Sequence, residues 1–129
     1  MVGIVVVSHS RKAAEGIRDV ATEMGGDARV EAVGGTSDGR IGTSPEPISR
    51  AIADAADGNG VVVLVDLGSA VMNAEIAIEE AELEEEVVLA DAPVMEGALN
   101  AAVAAGAPDA TVDSVRMAAE DAQRVKKFG

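Results

Sequence analysis

The chain has 129 residues, no cysteine, one histidine and a formal net charge of −13. That length suits a single domain, residues 1–129, with a core of useful size. The absence of thiols excludes disulfides and cysteine-ligated metals, and the negative field repels nucleic acid and anionic membrane.

In chain order, the first element is an apolar run at 3–7, GIVVV. It has no basic flank and is too short for a signal peptide or a membrane span. The expected location is therefore the cytoplasm, with no membrane partner. An unbroken Val/Ile run fits a parallel strand buried on both faces. His9 follows directly, and Ser10 suits the N-cap of a helix over 11–24. Ala13, Ile17, Val20, Ala21 and Met24 would share one face of that helix.

Residues 28–33 alternate polar and apolar, as an edge strand with one wet face does. A glycine-rich loop spans 34–44, GGTSDGRIGTS. Ser44 and Pro45 then suit the N-cap and first position of a helix over 46–57, with Ile48, Ala51, Ile52 and Ala55 inward. The third strand, 60–65, ends at Asp66. Gly68, Ser69 and Ala70 lead into a helix over 70–83, with Val71, Ala74, Ala77, Ile78 and Ala81 on its apolar face. The acidic run at 79–86 reads as a solvated face rather than a metal site. A fourth apolar strand covers 86–90, and helices are expected at 94–105 and 112–126.

This order implies an α/β fold: a doubly wound, mainly parallel four-stranded sheet with helices on both faces. In strand order 2-1-3-4, strands one and three are neighbours, and their carboxyl ends flank the switch point where ligands bind. His9 ends strand one and Asp66 ends strand three, so the fold would join residues 57 positions apart. A carboxylate that accepts one imidazole N–H fixes the tautomer and leaves the other nitrogen free as a nucleophile. Backbone amides at a helix start favour an anion there. The two loops offer small residues and hydroxyls around the same spot. No P-loop and no dinucleotide fingerprint occurs.

Composition adds one further expectation. The chain has three lysines, seven arginines, 23 acidic residues and one aromatic, Phe128. Together with abundant alanine, this fits a protein adapted to high salt, where a Debye length of about 3 Å at 1 M quenches self-repulsion.

Three segments carry a family resemblance. They are Val7-Ser8-His9-Ser10 with Ala14-Glu15-Gly16-Ile17; Gly34-Gly35 through Asp38-Gly39 to Ile41-Gly42-Thr43-Ser44; and Asp66-Leu67-Gly68-Ser69-Ala70 with Met72-Asn73 and Glu75. In this order they resemble the DhaM-type phosphotransfer subunits of dihydroxyacetone kinases that use phosphoenolpyruvate rather than ATP. Those belong with the mannose-type IIA domains of the sugar phosphotransferase system. The resemblance implies a phosphotransferase subunit in which His9 is the phosphoacceptor and Asp66 orients its ring. Gly35, Thr43, Ser44 and Ser69 would line the phosphate pocket. The implied donor is phosphorylated HPr. The implied acceptor is ADP on a DhaL subunit, with dihydroxyacetone on DhaK. No cofactor or metal is implied on this chain. A homodimer is implied too, and the apolar fourth strand, at a sheet edge, would want cover. Fused HPr-like and enzyme I-like domains of some relatives would here be separate proteins. Two rivals remain: a mannose-type IIA component of a sugar transporter, and a non-catalytic binding or dimerisation module on a flavodoxin-like scaffold.

Overall fold

A computed structural model describes all residues, Met1–Gly129. Four parallel strands, β1 (Gly3–Ser8), β2 (Val30–Gly34), β3 (Val61–Val65) and β4 (Val87–Leu89), form one sheet of order β2-β1-β3-β4. Helices α1 (Arg11–Gly25), α2 (Pro45–Ala55), α3 (Gly68–Glu80), α4 (Val94–Ala105) and α5 (Val112–Asp121) cover both faces. The order expected from the sequence is the order observed.

The central strands explain the two layers. Side chains alternate across a strand, so Ile4, Val6, Val62 and Leu64 face α1, α4 and α5. Val5, Val7, Val61 and Val63 face α2 and α3. All eight are fully buried. Truncating one of them, Leu64 to alanine, would cost about 2–5 kcal/mol through lost transfer energy and the cavity left behind. The helices contribute mainly alanine: Ala98, Ala101, Ala102 and Ala105 from α4, and Ala70, Ala74 and Ala77 from α3.

That use of alanine shifts the expected helix faces. The buried seam of α1 is Ala14 and Ala21 with Ile17 half-buried, while Val20 and Met24 stay exposed. Close approach to α4 through small side chains leaves no room for the larger ones in the seam. Val71 on α3 is likewise exposed, and Ala70 takes the inward place. The C-terminal helix also ends early. It stops at Asp121 and passes through a 3-10 turn at Ala122–Arg124, not at 126. Ala122 is the last buried residue, and a helix with no packed face loses its main support. The fourth strand is shorter than its apolar run, three residues, all half-buried.

The acidic stretch also has a structural member. Glu85 accepts hydrogen bonds from the backbone N–H groups of Gly58 and Gly60, both at 3.0 Å, and so holds the turn that enters β3. It is half-buried rather than simply solvated.

Candidate active site

The sheet register pairs Val7 with Val33 on one side and Val65 on the other. Ser8-His9 and Asp66 therefore leave the sheet side by side, at the carboxyl ends of adjacent strands. Ser10 turns the chain into α1, its hydroxyl accepting from the Ala13 N–H at 3.2 Å.

Asp66 is the hub of the site. Its Oδ2 accepts from the Ser8 hydroxyl at 2.9 Å and from the His9 backbone N–H at 3.0 Å. Its Oδ1 accepts from the Leu67 N–H at 2.7 Å and lies 3.0 Å from His9 Nδ1. Partial burial pushes this carboxyl upward. The hydrogen bonds from the His9 backbone and ring, the Ser8 hydroxyl and the Leu67 backbone outweigh that and hold it below its ordinary range. The group is therefore an ionised acceptor at neutral pH. His9 Nδ1 must then carry the hydrogen of that bond, which leaves Nε2 with its lone pair. Nε2 lies 2.6 Å from Ser69 Oγ, so the serine hydroxyl donates to it. The side chains of His9 and Asp66 are only 21% and 17% exposed, enough shelter to strengthen the pairing and enough opening to admit a reactant.

The helix carrying Ser69 adds a second feature. Its N-cap is Leu67, and no side chain caps it. The first amides of a helix lack intrahelical partners, and together with the dipole they favour an anion. Sequence reasoning assigned this role to the start of α1, yet Ser10 already satisfies one donor there. The uncapped end beside the nucleophilic nitrogen belongs to α3.

The glycine-rich loop clamps the site from the β2 side. The Gly42 N–H donates to the His9 carbonyl at 2.9 Å. Gly34 has to lack a side chain, because a Cβ there would sit 2.7 Å from the carbonyl oxygens of Ser8 and Ser10. Gly35 follows with φ +75°, a conformation that glycine adopts without strain. Asn73 of α3 donates to Thr43 Oγ1 at 2.7 Å and to the Thr43 carbonyl at 3.3 Å, which ties the loop to the helix that carries Ser69.

Of the expected site residues, Asp66 and Ser69 meet the His9 ring. Thr43 is held by Asn73. Ser44 stands at the N-cap of α2 without a side-chain capping bond. Gly35 lies in a cleft on the β2 side, beside Ser10 and Arg11. Two contributors were not assigned a role in advance, Ser8 and Asn73. Ser8 is the only buried polar residue, 4% exposed. A hydroxyl closing an otherwise all-apolar strand is the signal that could have found it. No group of three or more His, Asp or Glu side chains is arranged to hold a metal ion.

This arrangement holds the His9 ring by Nδ1 on Asp66 and sets Nε2 beside Ser69 at the uncapped start of α3. A family model described as PTS system fructose IIA component, EIIA-man, matches residues 3–116. The chain belongs to the EIIA-man family. Among curated proteins it is similar to the phosphoryl donor subunit DhaM of PEP-dependent dihydroxyacetone kinase 2 from Listeria innocua, 42% identical over 106 residues, 80% of this chain and 85% of that protein. It is similar to the DhaM subunit of Escherichia coli as well, 36% identical over 133 residues, where it covers 98% of this chain but only 28% of that longer protein. Among solved structures, EF1359, a protein of unknown function, matches with a TM-score of 0.79 at 34% identity, covering 93% of both chains. The family is thus shown by sequence, and the overall fold is shared with a solved structure. No helix of this chain is long and apolar enough to cross a membrane.

Proposed function

We propose that this EIIA-man domain is the phosphocarrier subunit of a phosphoenolpyruvate-dependent dihydroxyacetone kinase. The observation that carries the reading is His9 Nε2, held as a free lone pair by the Nδ1–Asp66 bond and set 2.6 Å from Ser69. Relatives named DhaM in Listeria innocua and Escherichia coli supply the choice of system. In the first step Nε2 attacks the phosphorus of phosphorylated HPr. The new N–P bond forms as the donor's N–P bond breaks, and the donor imidazole leaves with that electron pair. In the second step a terminal phosphate oxygen of ADP on DhaL attacks the same phosphorus. The His9 N–P bond breaks, its pair returns to Nε2, and ATP forms on DhaL for dihydroxyacetone held by DhaK. Such transfers rest on positioning and charge stabilisation. Asp66 supports the positive charge that grows on the ring, and Ser69 with the start of α3 supports the phosphoryl oxygens.

The subunit also forms a homodimer in this reading. β4 is an edge strand made only of Val87, Val88 and Leu89, and α3, packed against it, exposes Val71, Met72 and Ile76. An apolar edge beside an apolar helix face is covered most simply by a second copy.

The decisive experiment is intact mass after incubation with phosphoenolpyruvate, enzyme I and HPr from the same source. A gain of one phosphoryl group, about 80 Da, labile in acid and absent in His9→Ala, supports the carrier reading. Loss of that group to ADP-loaded DhaL identifies the acceptor. The family's description as a fructose IIA component favours a second reading, a IIA component of a sugar transporter. Transfer to a IIB domain and not to DhaL would select it. No mass gain with active partners leaves a binding module.

A further inference from the structure

The apolar columns of the two central strands each end in a polar residue. Ile4 and Val6 on β1, with Val62 and Leu64 on β3, face one layer, and by alternation Ser8 and Asp66 come next in those columns. The register pairs Val7 with Val65, so Ser8 stands level with Asp66 one step further on. An apolar side chain at position 8 would simply extend the buried column. A hydroxyl ends it instead, 4% exposed, and neither transfer step described above uses that hydroxyl.

The direction of its hydrogen bonds is fixed. Ser8 Oγ accepts from the Ser10 N–H at 3.1 Å and lies 2.9 Å from Asp66 Oδ2. An ionised carboxylate only accepts, so the single hydroxyl hydrogen points at Oδ2. Oδ2 also accepts from the His9 N–H at 3.0 Å, while Oδ1 accepts from the Leu67 N–H at 2.7 Å and faces His9 Nδ1 at 3.0 Å. A carboxylate offers about four lone-pair sites, and four donors engage this one. Three of them anchor the group, and the fourth is the ring. Ser8 is the only side-chain anchor, and it holds the oxygen that does not meet the ring. Without it Oδ2 keeps one donor, the carboxylate gains freedom to turn about its Cβ–Cγ bond, and Oδ1 loses its single aim at Nδ1.

We infer that Ser8 is a positioning residue for phosphoryl transfer at His9: its hydroxyl locks the Asp66 carboxylate so that Oδ1 holds the Nδ1 hydrogen and Nε2 stays turned to the incoming phosphorus. Ser8 acts through Asp66 and not on the phosphoryl group. A serine that served only to hold the entry to α1, through the Ser10 N–H, would leave the ring tautomer alone, and that difference is measurable. The inference rests on the carrier reading for its effect on transfer between proteins, and on the hydrogen-bond geometry alone for its effect on the ring.

The test uses the full chain with Ser8→Ala, Ser8→Cys and Ser8→Thr. Alanine removes the donor, cysteine keeps the shape with a weak donor, and threonine keeps the hydroxyl. Phosphoramidate is a phosphoryl donor that needs no partner protein. Nε2 attacks its phosphorus, the new N–P bond forms as the donor's P–N bond breaks, and ammonia leaves with that electron pair. His9 phosphorylation should slow about ten- to thirtyfold in Ser8→Ala, by less in Ser8→Cys, and by no more than about threefold in Ser8→Thr. With phosphorylated HPr as donor the same loss should fall on kcat, with KM moved less than about twofold. Nitrogen NMR of the imidazole reads the ring directly. The unsubstituted protein should carry its hydrogen on Nδ1, with a low-field proton signal sheltered from exchange. In Ser8→Ala that signal should broaden and the second tautomer appear, and Ser8→Thr should restore the original spectrum. An alanine variant that keeps its rate and tautomer, a loss confined to KM, or a threonine variant as slow as alanine would overturn the positioning role and leave Ser8 as a support for α1. Should the alanine variant fail to fold, a cysteine variant with unchanged rate and tautomer overturns it equally. Charging by phosphoramidate but not by phosphorylated HPr would sink the carrier reading, while the imidazole spectra still decide the role of Ser8.

Discussion

The two flanks of His9 are built in opposite ways. On the β3 side its ring lies between Asp66 at 3.0 Å and Ser69 at 2.6 Å, and Asp66 accepts further hydrogen bonds from Ser8, the His9 backbone and Leu67. On the β2 side, arginines and a lysine stand in water with loosely held partners. Over-determination on one flank fixes the orientation and tautomer of the ring. Exposure on the other leaves long side chains only loosely paired in water. Chemistry at one nitrogen asks for the first.

Substitutions separate the two. Asp66→Asn removes the ionised acceptor and frees the ring tautomer, so the rate of His9 phosphorylation should drop about 10²–10⁴-fold, with secondary structure retained by circular dichroism. A loss under threefold would mean that Asp66 only shapes the turn. Ser69→Ala should lower transfer about ten- to a hundredfold, and Ser69→Thr should recover most of it; rapid-quench kinetics measure both, and failure of the threonine to rescue would point to packing instead. Asn73→Ala removes the tie between α3 and the loop. It should cost about 1–2 kcal/mol in urea unfolding and leave phosphorylation within a few-fold of the original. Unchanged stability would show that the loop is held by its backbone bonds alone.

Solution conditions sharpen the contrast further. Melting temperature should climb as salt rises from about 0.1 to 1 M, since a net charge of −13 repels itself and the Glu79–Glu80 pair sits at the unfavourable end of α3. A melting temperature independent of salt would remove the case for adaptation to brine. Acid acts on the other flank. The Asp66 carboxyl is depressed in the folded state, so its contribution is present above the unfolded carboxylate range and is lost as pH falls through its folded value. Asp66→Asn should therefore flatten the acid limb of stability against pH, and an unchanged limb would assign that limb to other carboxylates.

Much of the frame was readable from residue types. Val/Ile runs at 3–7 and 60–65 had to be strands buried on both faces, and a parallel sheet followed from the helices between them. His9 and Asp66 then met because each ends a central strand. The helix faces were less legible. Period alone placed Val20 and Met24 inside α1, but the alanine seam against α4 leaves them outside. The end of α5 was invisible for a related reason, since helix-forming residues continue past the point where packing stops.

The sequence by itself therefore determined the sheet order and the pairing of His9 with Asp66. These follow from side-chain period and burial, which are local properties summed along the chain. Only the tertiary structure decided which nitrogen of His9 is free, because that depends on which ring nitrogen meets the Asp66 carboxylate, and it is Nδ1. It also decided that Asn73 reaches Thr43. Such contacts join residues that are distant in the chain, and no local pattern encodes a distance between them.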